Sequence, residues 1–167
     1  AVLFLTLLVG LAPHPATAQG SGISVTIPKV DPEPNTTATL SITADLGDNE
    51  VDKYSNLEFT FDPNVLEVIE VRDGEDLSFG PGNFIPQIDN AAGEVFVINI
   101  ADNPPITGSG EILQIDVRLT EDASTSFRLT PSDPDATFPT SVFETETGDI
   151  LEIETINQGQ VGNEPPS

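Results

Sequence analysis

Apolar and polar residues alternate with period two along most of the chain. Ile23, Val25 and Ile27 are separated by Ser24 and Thr26. Ala38, Leu40, Ile42, Ala44 and Leu46 are separated by Thr39, Ser41, Thr43 and Asp45. Leu57, Phe59 and Phe61 follow the same rule against Asn56, Glu58 and Thr60, as do Leu113, Ile115, Val117 and Leu119 against Gln114, Asp116 and Arg118. Successive side chains of a strand point to opposite faces, so this pattern predicts half-buried antiparallel strands with one face inward and one in water. The segment Glu94–Ile100 (EVFVINI) is apolar at nearly every position and predicts a central strand. Further strands are expected over Val65–Arg72, Phe84–Ile88, Phe127–Thr130, Val142–Thr145 and Ile150–Ile156.

Turn chemistry separates these segments. Asp62-Pro63-Asn64, Asp73-Gly74, Gly80-Pro81-Gly82, Asn90 to Gly93, Asn103-Pro104-Pro105 and Thr147-Gly148-Asp149 supply the residues that tight turns need. Thr120–Thr125 is open between a short helix, started by Glu121 and Asp122, and a loop. No internal repeat is visible. Many short strands at this spacing predict an all-β sandwich. From Gln158 onward the periodicity is lost, and Asn-Glu-Pro-Pro-Ser at the end has the composition of a tail or linker start.

The amino end follows a different rule. Ala1 to Ala12 carry no charge, Pro13-His14-Pro15 breaks the run, and Ala16-Thr17-Ala18 places small residues where a signal peptidase cuts. A membrane span needs about 20 apolar residues, so this stretch is too short for one. The expected organisation is an export signal over residues 1–18, entered partway, a sandwich over residues 19–161 and a tail over residues 162–167. The mature chain would then be secreted or held at the cell surface, with no membrane insertion of its own.

Composition narrows the chemistry. The 167 residues include 28 Asp+Glu against 5 Lys+Arg, for a net charge of −23, with one His and no Cys, Met or Trp. Such a charge opposes binding to nucleic acid or anionic lipid. Without Cys, and with its one His at position 14 inside the export signal, the mature domain has no disulfide, thiolate or imidazole chemistry. Paired carboxylates suited to glycoside hydrolysis are inevitable with this many acids, but no aromatic cleft accompanies them. No enzymatic activity is expected. Spread along the chain rather than blocked together, the acids fit adaptation to high salt better than a complement to one basic or calcium-rich partner.

The order of motifs resembles the cohesin domain, the receptor module of cellulosome scaffolds. The segments that carry the resemblance are LEFTFDPNVLEVIEV (Leu57–Val71) with Gly74 after it, Glu94–Asp102 followed by Gly108-Ser109-Gly110 and EILQIDVRL, and an ending of Phe143, a Thr-Gly-Asp hairpin, Leu151–Ile156 and Asn157 to Val161. It spans roughly Ser24 to Val161. It implies a nine-stranded jelly-roll β-sandwich that binds a dockerin, a small calcium-loaded helical module, on one sheet face. Carried over by position, the partner-facing residues would be Asn56 and Glu58 on the strand before Asp-Pro, and Asn99 and Asp102 on the central apolar strand.

Two other functions stay open on the same sandwich. A carbohydrate-binding module needs an exposed aromatic platform; Trp is absent and Tyr54 is the sole Tyr, so Tyr54 would have to join Phe79 and Phe84 on an open face. A structural or adhesive surface domain would need no partner site at all. No cofactor is expected. The acidic loops that include Asp48, Asp52, Asp73 and Asp76 offer oxygen ligands for calcium but lack the twelve-residue EF-hand spacing, which favours plain solvation. Asn35-Thr36-Thr37 is an N-glycosylation sequon, usable in a host that glycosylates exported proteins.

Overall fold

The computed structural model describes residues 22–80, 83–100, 105–133, 135, 137 and 139–162. The expected export signal and the tail beyond Gly162 lie outside them. The described chain is built from β1 (Ile23–Thr26), β2 (Lys29–Val30), β3 (Thr37–Asp45), β4 (Lys53–Thr60), β5 (Leu66–Asp73), β6 (Ile85–Asp89), β7 (Glu94–Ile100), β8 (Ser109–Leu119), β9 (Thr125–Leu129), β10 (Val142–Glu144), β11 (Ile150–Asn157) and β12 (Gly159–Val161).

Hydrogen-bonded pairing arranges these as two layers. One runs β5-β8-β3-β1 with β11 parallel beside β1. The other runs β6-β7-β4, and the far side of β4 is shared by β10 and β9. β11 also pairs with β10, which joins the layers on one side. On the open side, Asn90 acts as a staple. A bulge between Val68 and Glu70 interrupts the β5–β8 register just after Val68, which pairs with Val117, and skips Ile69. Val68 N–H donates to Asn90 Oδ1 at 2.8 Å, while Asn90 Nδ2 donates to the Val68 carbonyl at 2.9 Å.

Period-two alternation is realised as the sequence implies. Along β3, Leu40, Ile42 and Ala44 are buried and the Thr and Ser positions between them exposed. Between the layers lies one core of aliphatic residues with Tyr54, Phe59, Phe79, Phe127 and Phe143 as its largest fully buried side chains. Phe127 packs on Phe59 and Phe61 at 5.7 and 5.9 Å between ring centroids. Each such ring removes about 150–250 Å² from water, which lets a chain without disulfides hold together by its core alone.

Three details depart from or complete the expectation. Among the described residues there are twelve strand segments rather than nine, and two of the short ones, β2 and β12, pair in parallel at the chain's return. Gly159 to Val161 is thus part of the sandwich, although its sequence shows no alternation. A side chain at Gly159 would come within 2.3 Å of Ile27, so only glycine lets the chain close here. Thr120 to Ser124 is a loop tied back by Thr120 N–H to the Val65 carbonyl, with no helix.

Candidate docking face

β4 is the strand that shapes the candidate site. Tyr54 and Leu57 both point into the core, so the two residues between them cannot alternate normally and form a bulge. Asn56 takes φ 48° there, in the left-handed region. Its neighbour Ser141 does the same at φ 51°. The two brace each other. Ser141 N–H donates to the Asn56 carbonyl at 2.9 Å, and Asn56 Nδ2 donates to the Pro139 carbonyl at 3.0 Å. Left-handed non-glycine residues cost on the order of 1–3 kcal/mol each and persist where surrounding contacts over-determine them, as at functional surfaces.

β7 lies beside β4, with Leu57 opposite Val97 and Phe59 opposite Val95. That register sends Val95, Val97 and Asn99 inward and Phe96, Ile98 and Ile100 outward. On the other side Ile85 lies opposite Ile98, Gln87 opposite Phe96 and Asp89 opposite Glu94. The β6–β7 turn that fixes this register closes at Gly93, where φ is +74° and a Cβ would sit 2.3 Å from the Phe61 carbonyl oxygen. The outer face therefore carries an apolar strip of Ile85, Ile98 and Phe96. A shallow groove of about 240 Å³ runs along it, lined by these three with Asn56 and Gln87. A second depression, of about 390 Å³, continues past Gln87 and Phe96 to Ile88, Asp89 and Glu94.

The residues expected to face a partner divide. Asn56 lines the groove, and Glu58 stands on the outer face opposite Phe96. Asp102 lies outside the described residues. Asn99 is a correction: it is fully buried, and its Nδ2 donates to Asp73 Oδ1 at 2.8 Å. Asn99, the one polar residue inside the apolar run after Glu94, points into the core, while Phe96 and Ile98 point out. Sequence reasoning missed both because the segment is apolar at either parity. The register against Leu57 and Phe59 is the signal that would have found them.

Beneath the face lies a small polar cluster. Asp73 accepts from Asn99 and, at 2.7 Å, from Ser78 Oγ. The Tyr54 hydroxyl and Asn99 Oδ1 are buried without a hydrogen-bond partner. Burial pushes the Tyr54 phenol well above its usual range. Burial also raises the Asp73 carboxyl above 3.8, against the opposing effect of its hydrogen bonds. The native state therefore binds this proton more tightly than the unfolded chain. Asp73 contributes most to stability below pH 3.8, loses that contribution as pH rises through its folded pKa, and stays at the lower level at neutrality. Asp73→Asn keeps an acceptor for Asn99 and removes the buried charge, so its melting temperature should exceed that of the wild type at pH 7. The gap should close in parallel melts taken towards pH 3.5. A lower melting temperature for the variant at pH 7 would contradict this reading.

The remaining candidates are placed as follows. Asp76 Oδ2 accepts from Glu111 N–H at 3.0 Å, so this carboxylate and Asp73 are both engaged by protein donors. Among the described residues no three acidic side chains converge as metal ligands. Tyr54 and Phe79 do meet, edge to face at 5.0 Å, but both are buried in the core and offer no open platform for a sugar ring.

Comparison with known proteins places this architecture. Among the curated proteins none matches in sequence. Similar solved structures include a type I cohesin in complex with a dockerin from Clostridium thermocellum (TM-score 0.72, 16% identity, covering 89% of this chain and 97% of that one). The sixth cohesin of Acetivibrio cellulolyticus scaffoldin B, in complex with a dockerin, is similar at TM-score 0.70 and 15% identity, covering 86% and 99%. A non-cellulosomal cohesin from the archaeon Archaeoglobus fulgidus reaches TM-score 0.66 at 18% identity, covering 83% and 88%. At these identities the likeness is one of fold. The family model of the cohesin domain matches residues 23–154, nearly the whole described chain, and the protein belongs to the cohesin domain family.

Proposed function

We propose that this domain is a non-catalytic recognition module that docks a dockerin-bearing protein on the outer face of β6, β7 and β4. The observation that carries the reading is the outward strip of Ile85, Ile98 and Phe96 on a flat, strand-built surface. A sheet face of this kind is largely preformed, so little binding energy goes into ordering it. The solved relatives with dockerins bound lend the partner class. Calcium belongs to the dockerin in this reading, and the cohesin needs no cofactor. The export signal expected at residues 1–18 puts the module outside the cell or at its surface. There it would assemble proteins, with polysaccharide-degrading enzymes as one class of cargo. The acidic surface suits a saline medium.

Immobilised domain exposed to the dockerin modules encoded in the same genome tests the reading. At least one should be retained in calcium and released by a chelator. Retention of none would overturn the docking function and leave a structural or adhesive role. A carbohydrate-binding function has less support, because Tyr54 and Phe79 are enclosed.

A further inference from the structure

The docking face has a polarity that goes beyond its apolar strip. At one end Lys53 is neutralised by Glu144 at 2.8 Å, and Ser55 Oγ donates to the same carboxylate at 2.6 Å. At the other end stand Glu58, Glu94 and Asp89, three acids against one base, Arg128 of β9, which lies opposite Thr60 in the same cross-strand row as Glu94. Asp89 and Glu94 are directly opposite in the β6–β7 ladder, an arrangement of like charges that destabilises a strand pair. The ion pairs among the described residues join Lys53 to Glu144, Arg72 to Glu70 and Asp116, and Arg118 to Glu67. None of them involves Glu58, Asp89 or Glu94. The turn accounts for Asp89, whose Oδ1 accepts from Ala91 and Ala92 N–H. Among the described residues no such local bond accounts for the Glu94 or Glu58 side chain. Yet both border the groove system, Glu58 opposite Phe96 and Glu94 in the depression that Phe96 shares.

We propose that the partner seated here presents an apolar patch followed by cationic side chains, oriented so that its positive end lies over Glu58, Glu94 and Asp89. The proposal rests on the docking reading and adds the partner's chemistry and direction. Same-face positions along a strand are about 7 Å apart, so Glu94 lies about 7 Å from Phe96 and about 13 Å from Ile98. On a helix rising 5.4 Å per turn, the matching Lys or Arg falls roughly one to two and a half turns beyond the apolar residues. Desolvation at the apolar strip strengthens such pairs relative to the open surface.

A matched-charge comparison tests this, with a dockerin retained by the wild-type domain as the probe. Glu58→Lys/Glu94→Lys changes the docking face, whereas Glu33→Lys/Glu154→Lys makes the same change in net charge at exposed positions elsewhere. At 0.15 M NaCl the face variant should raise Kd at least tenfold and the control less than threefold. At 1 M NaCl, where the Debye length is about 3 Å, the two should converge. Glu58→Gln/Glu94→Gln, which adds no new charge, should weaken binding in the same direction and covers the case in which the lysine pair fails to fold. Equal weakening by face and control variants, or unchanged or tighter binding by both face variants, would overturn the cationic partner while leaving docking intact. No dockerin bound by the wild type at any salt concentration would overturn both.

Discussion

Ile98→Asp is expected to abolish dockerin binding while leaving the fold in place. Ile98 sits at the middle of the apolar strip, opposite Ile85 and beside the Ser55–Asn56 bulge. Interface energy concentrates in a few central, well-desolvated side chains, and truncating one costs about 2–4 kcal/mol. Aspartate adds the penalty of burying an unpaired carboxylate beneath the partner. A loss of at least 2 kcal/mol is about thirtyfold in Kd, and the charge should carry it beyond detection. The side chain points away from the core, so the cost to the fold is a strand-propensity term of about 1 kcal/mol or less. Phe96→Ala should weaken binding in the same way by about tenfold or more. Thermal melts alongside the binding curves separate the two effects. Full binding by Ile98→Asp would move the partner to another face.

The second large effect is that of salt on the fold. With 28 acids and 5 basic residues, the domain cannot pair its charges locally. Arg72 shows the limit: one guanidinium serves Asp116 at 2.6 Å and Glu70 at 2.7 Å. It holds the Asp116 carboxyl below the usual range, an isolated stabilisation present above pH 3.8 and lost as pH falls through the folded pKa. The other acids repel across the surface. Raising ionic strength from 0.01 M to 1 M shortens the screening length from about 30 Å to about 3 Å. Removing that repulsion should raise the melting temperature by on the order of 10 °C, a few kcal/mol for a domain of this size. Calcium at millimolar concentration and constant ionic strength should add little. A sharp, saturable gain with calcium would instead assign a cation site among Asp48, Asp52, Asp73 and Asp76. A melting temperature indifferent to NaCl would contradict the account of self-repulsion.

Much of the fold was legible because period-two alternation is a direct consequence of strand geometry. β1 and β3 to β11 all occur near the segments where alternation or a bounded apolar run places them. β2 and β12 were not legible. Their two or three residues make no pattern, and their pairing depends on where the chain returns in space. Of the residues that the resemblance carries over to the docking face, Glu58 and Asn56 lie on the outer side of β4, as its alternation implies, although the bulge that brings Asn56 to the groove depends on long-range bonds to Pro139 and Ser141. Asn99 failed for a different reason. The resemblance carries its position over as outward, but here Asp73, distant in sequence, receives its amide and makes burial tolerable.

Those same residues decide how the central claim is tested. The most direct measurement is a calorimetric titration of calcium-loaded dockerin into the wild-type domain and into Ile98→Asp, side by side at one salt concentration. The account predicts saturable one-to-one binding by the wild type and no measurable heat with the variant, whose melting temperature stays close to that of the wild type. Equal affinity for both proteins would contradict it.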